Sequence, residues 1–410
     1  MIVRARFIVS GAGDVIDNGF IRMTNGLIHE IGHNRPHRAD VDYGDAVLIP
    51  GFVNAHTHLE LSGLCGEIIP RAGFVDWLEQ LVAVIRANKS WPDEIPTVIA
   101  RGIRESIAAG VTTLGDITRE PDRTRPLLAA SPIRTVSFGE VITIGIQRDA
   151  LEERIGCAID RKSATDRCII GISPHAPYTV EPDAMRACAA QAAVADIPLA
   201  VHLAETPEEE CFTQDRSGPF VAYLKGLGVW DDAIPVAGMT PIELAAATGL
   251  LTPRTVVAHA NYVSDNDIAA LAQSGAAIAY CPRTHAAFQH APHRFLDMQS
   301  AGINVCIATD SLASNPSLSV LDELRFLHDQ HPHLPASALL AMGTLNGARA
   351  LGLERVIGTL VPAKAADCAV IALPAGGSPK TWEAIFETPA RPAAVYLAGE
   401  LQPCDDSPDG

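Results

Sequence analysis

The chain has 410 residues, 48% hydrophobic and 19% charged, a globular balance that excludes a largely disordered protein. Its 31 Lys and Arg stand against 48 Asp and Glu, a net charge of −17, so its surface repels phosphate backbones and anionic lipid heads, and neither a nucleic acid nor a membrane is an expected partner. No apolar run reaches the ~20 residues of a membrane span, the start lacks a signal-peptide pattern, and the nine scattered cysteines include no Cys-x-x-Cys pair; together these point to the cytoplasm.

The first fifty residues read as short strands. Asp17-Asn18-Gly19 and Asn25-Gly26 flank Phe20 to Met23, and Leu27 to Ile31 follows. That is a hairpin signature, because Asn-Gly supplies positive φ at little cost. Gly11-Ala12-Gly13 is a fragment of a dinucleotide fingerprint without its third glycine or its helix, and reads as a turn. Further strands are predicted at Leu48–Ala55, Val111–Gly115, Ile133–Phe138, Cys168–Ile172, Leu199–Leu203, Thr255–Ala258, Ala276–Tyr280 and Asn304–Ala308. Helices are predicted at Phe74–Ala87, Pro96–Ala109, Asp183–Ala195, Ser217–Leu227, Asp265–Gln273 and Val320–His328. Trp77 and Leu78 fit the apolar stripe of an amphipathic helix, and the His328 to His333 cluster reads as a solvated helix end. After residue 355 the β texture returns in Gly358-Thr359-Leu360, Asp367 to Ala372 and Ala394 to Leu397, before a polar tail from Cys404 to Gly410. Alternating strands and helices predict an α/β fold, a (β/α)8 TIM-type barrel over 50–355, with a small β-sandwich built from 1–49 and 356–410.

Polar residues repeatedly follow the predicted barrel strands, where such a barrel carries its active face. His56-Thr57-His58 closes the first strand, and in extended chain two histidines two apart leave the same face and can grip one ion. The fifth strand runs into His202-Leu203-Ala204-Glu205, the sixth into His259, and the eighth into Thr309-Asp310-Ser311. Taken singly, each has an ordinary structural explanation. A His-x-His pair is common on loops, His202 reads as a core histidine and Asp310 as a helix cap. Their joint placement at four strand ends is what favours a metal site.

Pro50-Gly51-Phe52-Val53-Asn54-Ala55-His56-Thr57-His58 resembles the opening of the amidohydrolase superfamily. His202-Leu203-Ala204-Glu205-Thr206, Ala258-His259 and Ala308-Thr309-Asp310-Ser311 are similar to its later signatures, in the same order. Within the superfamily the likeness is to the deaminase and chlorohydrolase branch, which includes S-adenosylhomocysteine, methylthioadenosine and aminodeoxyfutalosine deaminases. The His-x-x-Glu spacing of His202 and Glu205, and the lack of a lysine in Gly171 to Tyr178, resemble its one-metal members.

The resemblance implies one divalent ion, Zn2+ or Fe2+, on His56, His58, His202 and Asp310, which would depress the pKa of a bound water from 15.7 to ~7. It implies Glu205 as the acid that protonates a ring nitrogen, His259 as the group that orients the attacking oxygen, and Asp310 as a further proton acceptor. His175, Glu60, Arg283 and Ser314 are the candidate substrate contacts, Glu60 being equally a brace for a ligand. The implied reaction is hydrolytic deamination of an adenosine-type heterocycle. A triazine chlorohydrolase is the alternative enzyme, and a catalytically silent scaffold the alternative of another class. Two departures from the branch stand out. Cys281-Pro282-Arg283-Thr284-His285 replaces a Cys-Pro-x-Ser-Asn type stretch, and Arg86 stands where some relatives carry an acid for ribose. Arg283, with His285, His290 and His293, would suit a substrate carboxylate, although His290 and His293 fit a solvated loop. Barrels of this kind commonly pair, so a homodimer is an expected assembly.

Overall fold

The single strand expected over Leu48–Ala55 is two strands serving two different sheets. Ala46–Pro50 belongs to a sheet of the chain ends and Phe52–Thr57 opens the barrel, with Gly51 as the joint. A β-carbon on Gly51 would lie 2.2 Å from Thr112 Oγ1, so no larger residue fits where the chain passes from one sheet to the other. The computed structural model describes residues 1–11, 13–33, 39–70, 73–374, 381–387 and 391–403. Ala12 of the Gly-Ala-Gly fragment and the tail from Cys404 lie outside the described residues.

The eight barrel strands are Phe52–Thr57, Val111–Thr118, Arg134–Val141, Cys168–Pro174, Leu199–Leu203, Thr255–His259, Ala277–Tyr280 and Val305–Ile307. They lie side by side in chain order, and every recorded pairing is parallel. Between the last strand and the first, an Asn54 side-chain bridge and one backbone bond stand in for the ladder. Asn54 Nδ2 donates to Thr309 Oγ1 at 2.7 Å, Thr309 N donates to Asn54 Oδ1 at 3.1 Å, and Asp310 N donates to His56 O at 3.2 Å. Asn54 thus ties the strand end of His56 to that of Asp310, a role the sequence pattern does not announce.

The second sheet gathers both chain ends in the order Glu400–Gln402, Pro392–Leu397, Cys368–Ala372, Ala46–Pro50, Ile2–Val9, Val15–Thr24 and Leu27–Gly32, with Val41–Asp42 on the side of Ile2–Val9. Its Ala46–Pro50 strand is buried on both faces. Val47 and Ile49 join the main core around the barrel, while Ala46 and Leu48 join the sheet's own core, which explains the unbroken apolar run. Asn25-Gly26 makes the expected hairpin turn, with φ of 51° and 77°. Asp17-Asn18-Gly19 does not turn; it lies inside Val15–Thr24, where Asn18 is a left-handed residue (φ 49°) within a continuing ladder to Ile2–Val9. The Gly358 to Leu360 run is a loop rather than a strand, held by Leu360 N donating to Ser10 O.

Phe74–Ala87 has the predicted bounds, with Phe74, Val75, Trp77, Leu78 and Leu81 buried. The next helix, Trp91–Ala108, starts five residues before the predicted Pro96. Pro92 fits its first turn, where backbone N–H groups have no partner, and Pro96 forfeits only one intrahelical bond.

Candidate metal centre and active site

The site is built where barrel strands end, and there the backbone leaves the ordinary regions. Ala204 (φ 51°), His259 (φ 71°), Ala260 (φ 51°) and Asp310 (φ 59°) are all left-handed, a strained conformation for residues with a β-carbon. Each lies at the end of the fifth, sixth or eighth strand, and each bend is held by neighbouring strands. Ala260 N donates to Leu203 O, and Tyr262 N donates to Ala204 O.

Five side chains converge inside this rim. His58 Nε2 lies 3.2 Å from His202 Nε2, and both His56 Nε2 and His58 Nε2 lie 3.7 Å from Asp310 Oδ1. The ligand atoms of His56, His202 and His259 lie within 4.8 Å of one another, and so do those of His56, His58 and Asp310. His202 Nδ1 is 2.9 Å from His175 O, so this nitrogen carries the proton and Nε2 offers its lone pair inward. Burial, with the neighbouring imidazoles, holds His56 and His58 well below the usual histidine range and lowers His202 to about 4, so all three are neutral at pH 7. His56 Nε2 is buried and has no hydrogen-bond partner among the described residues. Neutral imidazoles around a carboxylate, one of them with an orphaned nitrogen, are a donor set that fits a divalent ion. Asp310 is oriented by Ser314, whose Oγ donates to Asp310 Oδ2 at 2.6 Å. Ser314 therefore braces the carboxylate and is absent from the cavity wall, against the expectation of a substrate contact.

Glu205 Oε1 lies 3.4 Å from His259 Nε2. Burial, then the charges of Asp310 and Glu209, push the Glu205 carboxyl well above the usual range, so it holds a proton available for donation. Its backbone is fixed from both sides. Glu209, wholly buried, accepts from Ala204 N and Glu205 N at 2.9 Å each, and Asn261 Nδ2 donates to Glu205 O at 3.0 Å. Thr206 caps the helix Pro207–Asp215 that carries Glu209. His259 is held at its carbonyl by His293 Nε2, 2.9 Å away, and the His293 ring stacks on Tyr280 at 3.9 Å between centroids. His293 is thus a packed support and not the solvated loop residue expected.

A cavity of about 310 Å³ opens onto His58, His202, Glu205, His259 and Asp310. His175 lines it, with Nδ1 bonded to Thr179 Oγ1 at 2.6 Å and Nε2 3.9 Å from Glu140. Glu60 also lines it, yet its carboxylate accepts from Thr118 Oγ1 at 2.5 Å, Arg119 N at 3.2 Å and Glu120 N at 3.0 Å. Glu60 is a brace for the corner that carries Arg119. Arg283 is not on the wall. Pro282–Ala287 is a short helix that sends its guanidinium to Ser317 Oγ (2.9 Å) and within 3.8 Å of the buried Glu323, so the expected fork for a substrate carboxylate is engaged inside the protein. Trp77 and Leu78, read as core stripe, form part of the cavity wall, as does Arg86, which the sequence singles out, and Arg119, Glu140 and Arg154 line it without having been anticipated. No periodicity marks the last three; they are single charges on elements that only barrel closure brings together.

The amidohydrolase family model matches residues 47–401. The 5-methylthioadenosine/S-adenosylhomocysteine deaminase of Moorella thermoacetica is 29% identical over 394 residues, covering 90% of this chain and 85% of that protein. The structure of Helicobacter pylori aminofutalosine deaminase, bound to methylthio-coformycin, superposes with a TM-score of 0.84 at 23% identity, over 98% of this chain and 99% of that one. The zinc complex of Arthrobacter aurescens atrazine chlorohydrolase gives 0.82 at 21% identity, over 98% and 94%. With the barrel, the terminal sheet and the strand-end histidines in hand, the match across most of the chain means that this protein belongs to the amidohydrolase family.

Proposed function

We propose that the protein is a metal-dependent hydrolytic deaminase that replaces an amino group on an adenosine-type heterocycle with oxygen and releases ammonia. The observation that supports this is that His56 groups with His58 and Asp310 and also with His202 and His259, while Glu205 lies 3.4 Å from His259; we read His56, His58, His202 and Asp310 as the ligand set. We assign zinc, which suits three nitrogens and one carboxylate, over iron(II). When bound, the ion supplies a water acidified from 15.7 to about 7. The chain does the rest. Glu205 carries the proton that goes to the ring nitrogen next to the attacked carbon, making that carbon electrophilic, and as a carboxylate it then takes the proton shed by the attacking oxygen and passes it to the departing amine. His259, a neutral imidazole lowered by burial, holds the attacking oxygen by hydrogen bond, and His175 borders the heterocycle. The apolar wall of Phe74, Trp77 and Leu78 excludes water from the ring face.

The deaminase relative supports this reading over dehalogenation, which the same ligand shell would serve. Zinc-loaded protein offered methylthioadenosine, S-adenosylhomocysteine, 5′-deoxyadenosine, aminodeoxyfutalosine and chlorotriazines is expected to release ammonia from at least one nucleoside, and Glu205→Gln to abolish it. Chloride release without ammonia would overturn the assignment. Cytoplasmic location and homodimeric assembly are further proposals, tested by cell fractionation and by sedimentation.

A further inference from the structure

We propose that the segment after the seventh barrel strand, residues 282–294, is the positioning element of the Glu205–His259 pair, and that His285 is a positioning residue acting on Glu205 through Asn261. The catalytic part of that pair rests on the deaminase reading. Two backbone carbonyls carry the argument. Glu205 O accepts from Asn261 Nδ2 at 3.0 Å, and His259 O lies 2.9 Å from His293 Nε2. A carbonyl oxygen only accepts, so each bond fixes the group that makes it. Asn261 must turn its amide nitrogen to Glu205, which leaves its Oδ1 facing His285 Nδ1 at 3.1 Å. That oxygen is again an acceptor, so His285 carries a proton on Nδ1 and donates it. Glu205 and His259 are thus each held at the backbone by an imidazole of the same segment, His259 directly and Glu205 through an amide. His285 and Asn261 are buried, and neither they nor His293 line the cavity, so they act behind the reacting groups and not on the substrate.

His293 shows what the arrangement is for. With Nε2 donating, its Nδ1 is buried and has no hydrogen-bond partner among the described residues. A phenylalanine there would keep the stack on Tyr280 without that unpaired nitrogen, so what the imidazole adds is the bond to His259 O. The segment is itself anchored on three sides. Thr284 Oγ1 donates to Thr309 O at 3.3 Å, next to Asp310. Tyr262 Oη accepts from Ala291 N at 3.3 Å and lies 3.2 Å from His290 Nδ1. The Phe288 ring packs on Phe74 and Trp77, two residues of the cavity wall, at 5.5 and 5.3 Å between centroids. One segment therefore reaches the ends of the fifth, sixth and eighth strands, where Ala204, His259, Ala260 and Asp310 are left-handed. Such residues keep that conformation only where their surroundings over-determine it. The 3.4 Å gap between Glu205 Oε1 and His259 Nε2 spans two strand ends, so it is only as exact as the bonds that hold the two backbones. A misplacement of about 1 Å at a reacting group costs on the order of 100-fold in rate.

The test compares steady-state deamination by zinc-loaded His285→Phe and His285→Asn. Phenylalanine keeps a ring in the packed site and removes the donor, whereas asparagine can present an amide N–H to Asn261 Oδ1. His285→Phe is expected to lower kcat about 10- to 100-fold with KM within about twofold and zinc content unchanged, and His285→Asn to stay within about threefold of the parent kcat. Asn261→Ala should match His285→Phe, and the double variant should fall no further, because both changes break one relay. Additive losses, a KM change as large as the kcat change, or equal losses in the Phe and Asn variants would overturn the proposal. Should His285→Phe fail to fold, Asn261→Ala carries the same expectation by itself. If the parent protein deaminates none of the nucleosides, the deaminase reading fails on its own, and the crystal structure of His285→Phe or Asn261→Ala decides the positioning role. A gap between Glu205 and His259 widened beyond 3.4 Å would keep it, and an unchanged gap would end it.

Discussion

The inner and outer ends of the cavity are built on opposite rules. At the inner end the imidazoles are held neutral and several groups are tied to a second one: His202 to the His175 carbonyl, Asp310 to Ser314, Glu205 through its backbone to Glu209 and Asn261. At the outer end three long cations reach in from separate elements, and Arg119 stands half in solvent. On the proposed reading, the inner end acts on the ring carbon that bears the leaving group and reaches little of the rest of the substrate. On the same reading, discrimination between substrates would fall to the outer end, where the side chains are long and more exposed.

Substitutions that break the inner end should cost most. His56→Ala or His202→Ala should lose bound metal by elemental analysis and reduce kcat by at least about 1000-fold, since the acidified water goes with the ion. Retained metal with unchanged kcat would mean that these histidines are structural. Glu209→Gln should act less severely. It touches no ligand of the ion, so metal content should hold, while the loosened Glu205 backbone should lower kcat by about 10- to 100-fold with KM little changed. Burial lifts Glu209 to about 8 from an ordinary 4.5. Its folded form therefore keeps a proton that the unfolded chain releases, and wild-type stability should fall as pH rises between those two values. The Gln variant, followed by denaturant titration at several pH values, should lack that fall. The smallest catalytic effect is expected outside both ends. Arg283→Ala should shift KM less than about twofold, yet destabilise the protein by roughly 1–3 kcal/mol, because the buried Glu323 loses its cation. A large KM change with stability intact would return Arg283 to the substrate side.

The inner end was legible in the sequence because its residues announce themselves locally. His56 and His58 sit two apart on a strand, and His202, His259 and Asp310 each follow an apolar run. What supports them was not legible. Asn54 looks like any strand residue until barrel closure sets it against Thr309, and His293 looked solvated until it met Tyr280 and the His259 carbonyl. The outer end escaped for a related reason. Arg119, Glu140 and Arg154 carry no shared spacing, and their meaning exists only in three dimensions. Arg283 was the most visible basic residue near a strand end, but a six-residue helix turned it toward Ser317. In the terminal sheet, Asn18-Gly19 looked like a turn because the dipeptide permits one; pairing with Ile2–Val9 on both sides of it overrode that local preference.

The joint at Gly51 also sets a timetable for synthesis. Ala46–Pro50 pairs along its whole length with Cys368–Ala372, from Pro50 opposite Cys368 to Ala46 opposite Ala372. A ribosome that has finished His56 and His58 must still add more than 300 residues before that partner emerges. Throughout that interval Val47, Leu48 and Ile49, all wholly buried in the finished molecule, present an unpaired apolar edge one residue from the first barrel strand. Nascent chains arrested before residue 368 should therefore be the aggregation-prone and chaperone-bound species of this protein, and the order of assembly runs from the barrel outward to the sheet that both ends must wait to complete.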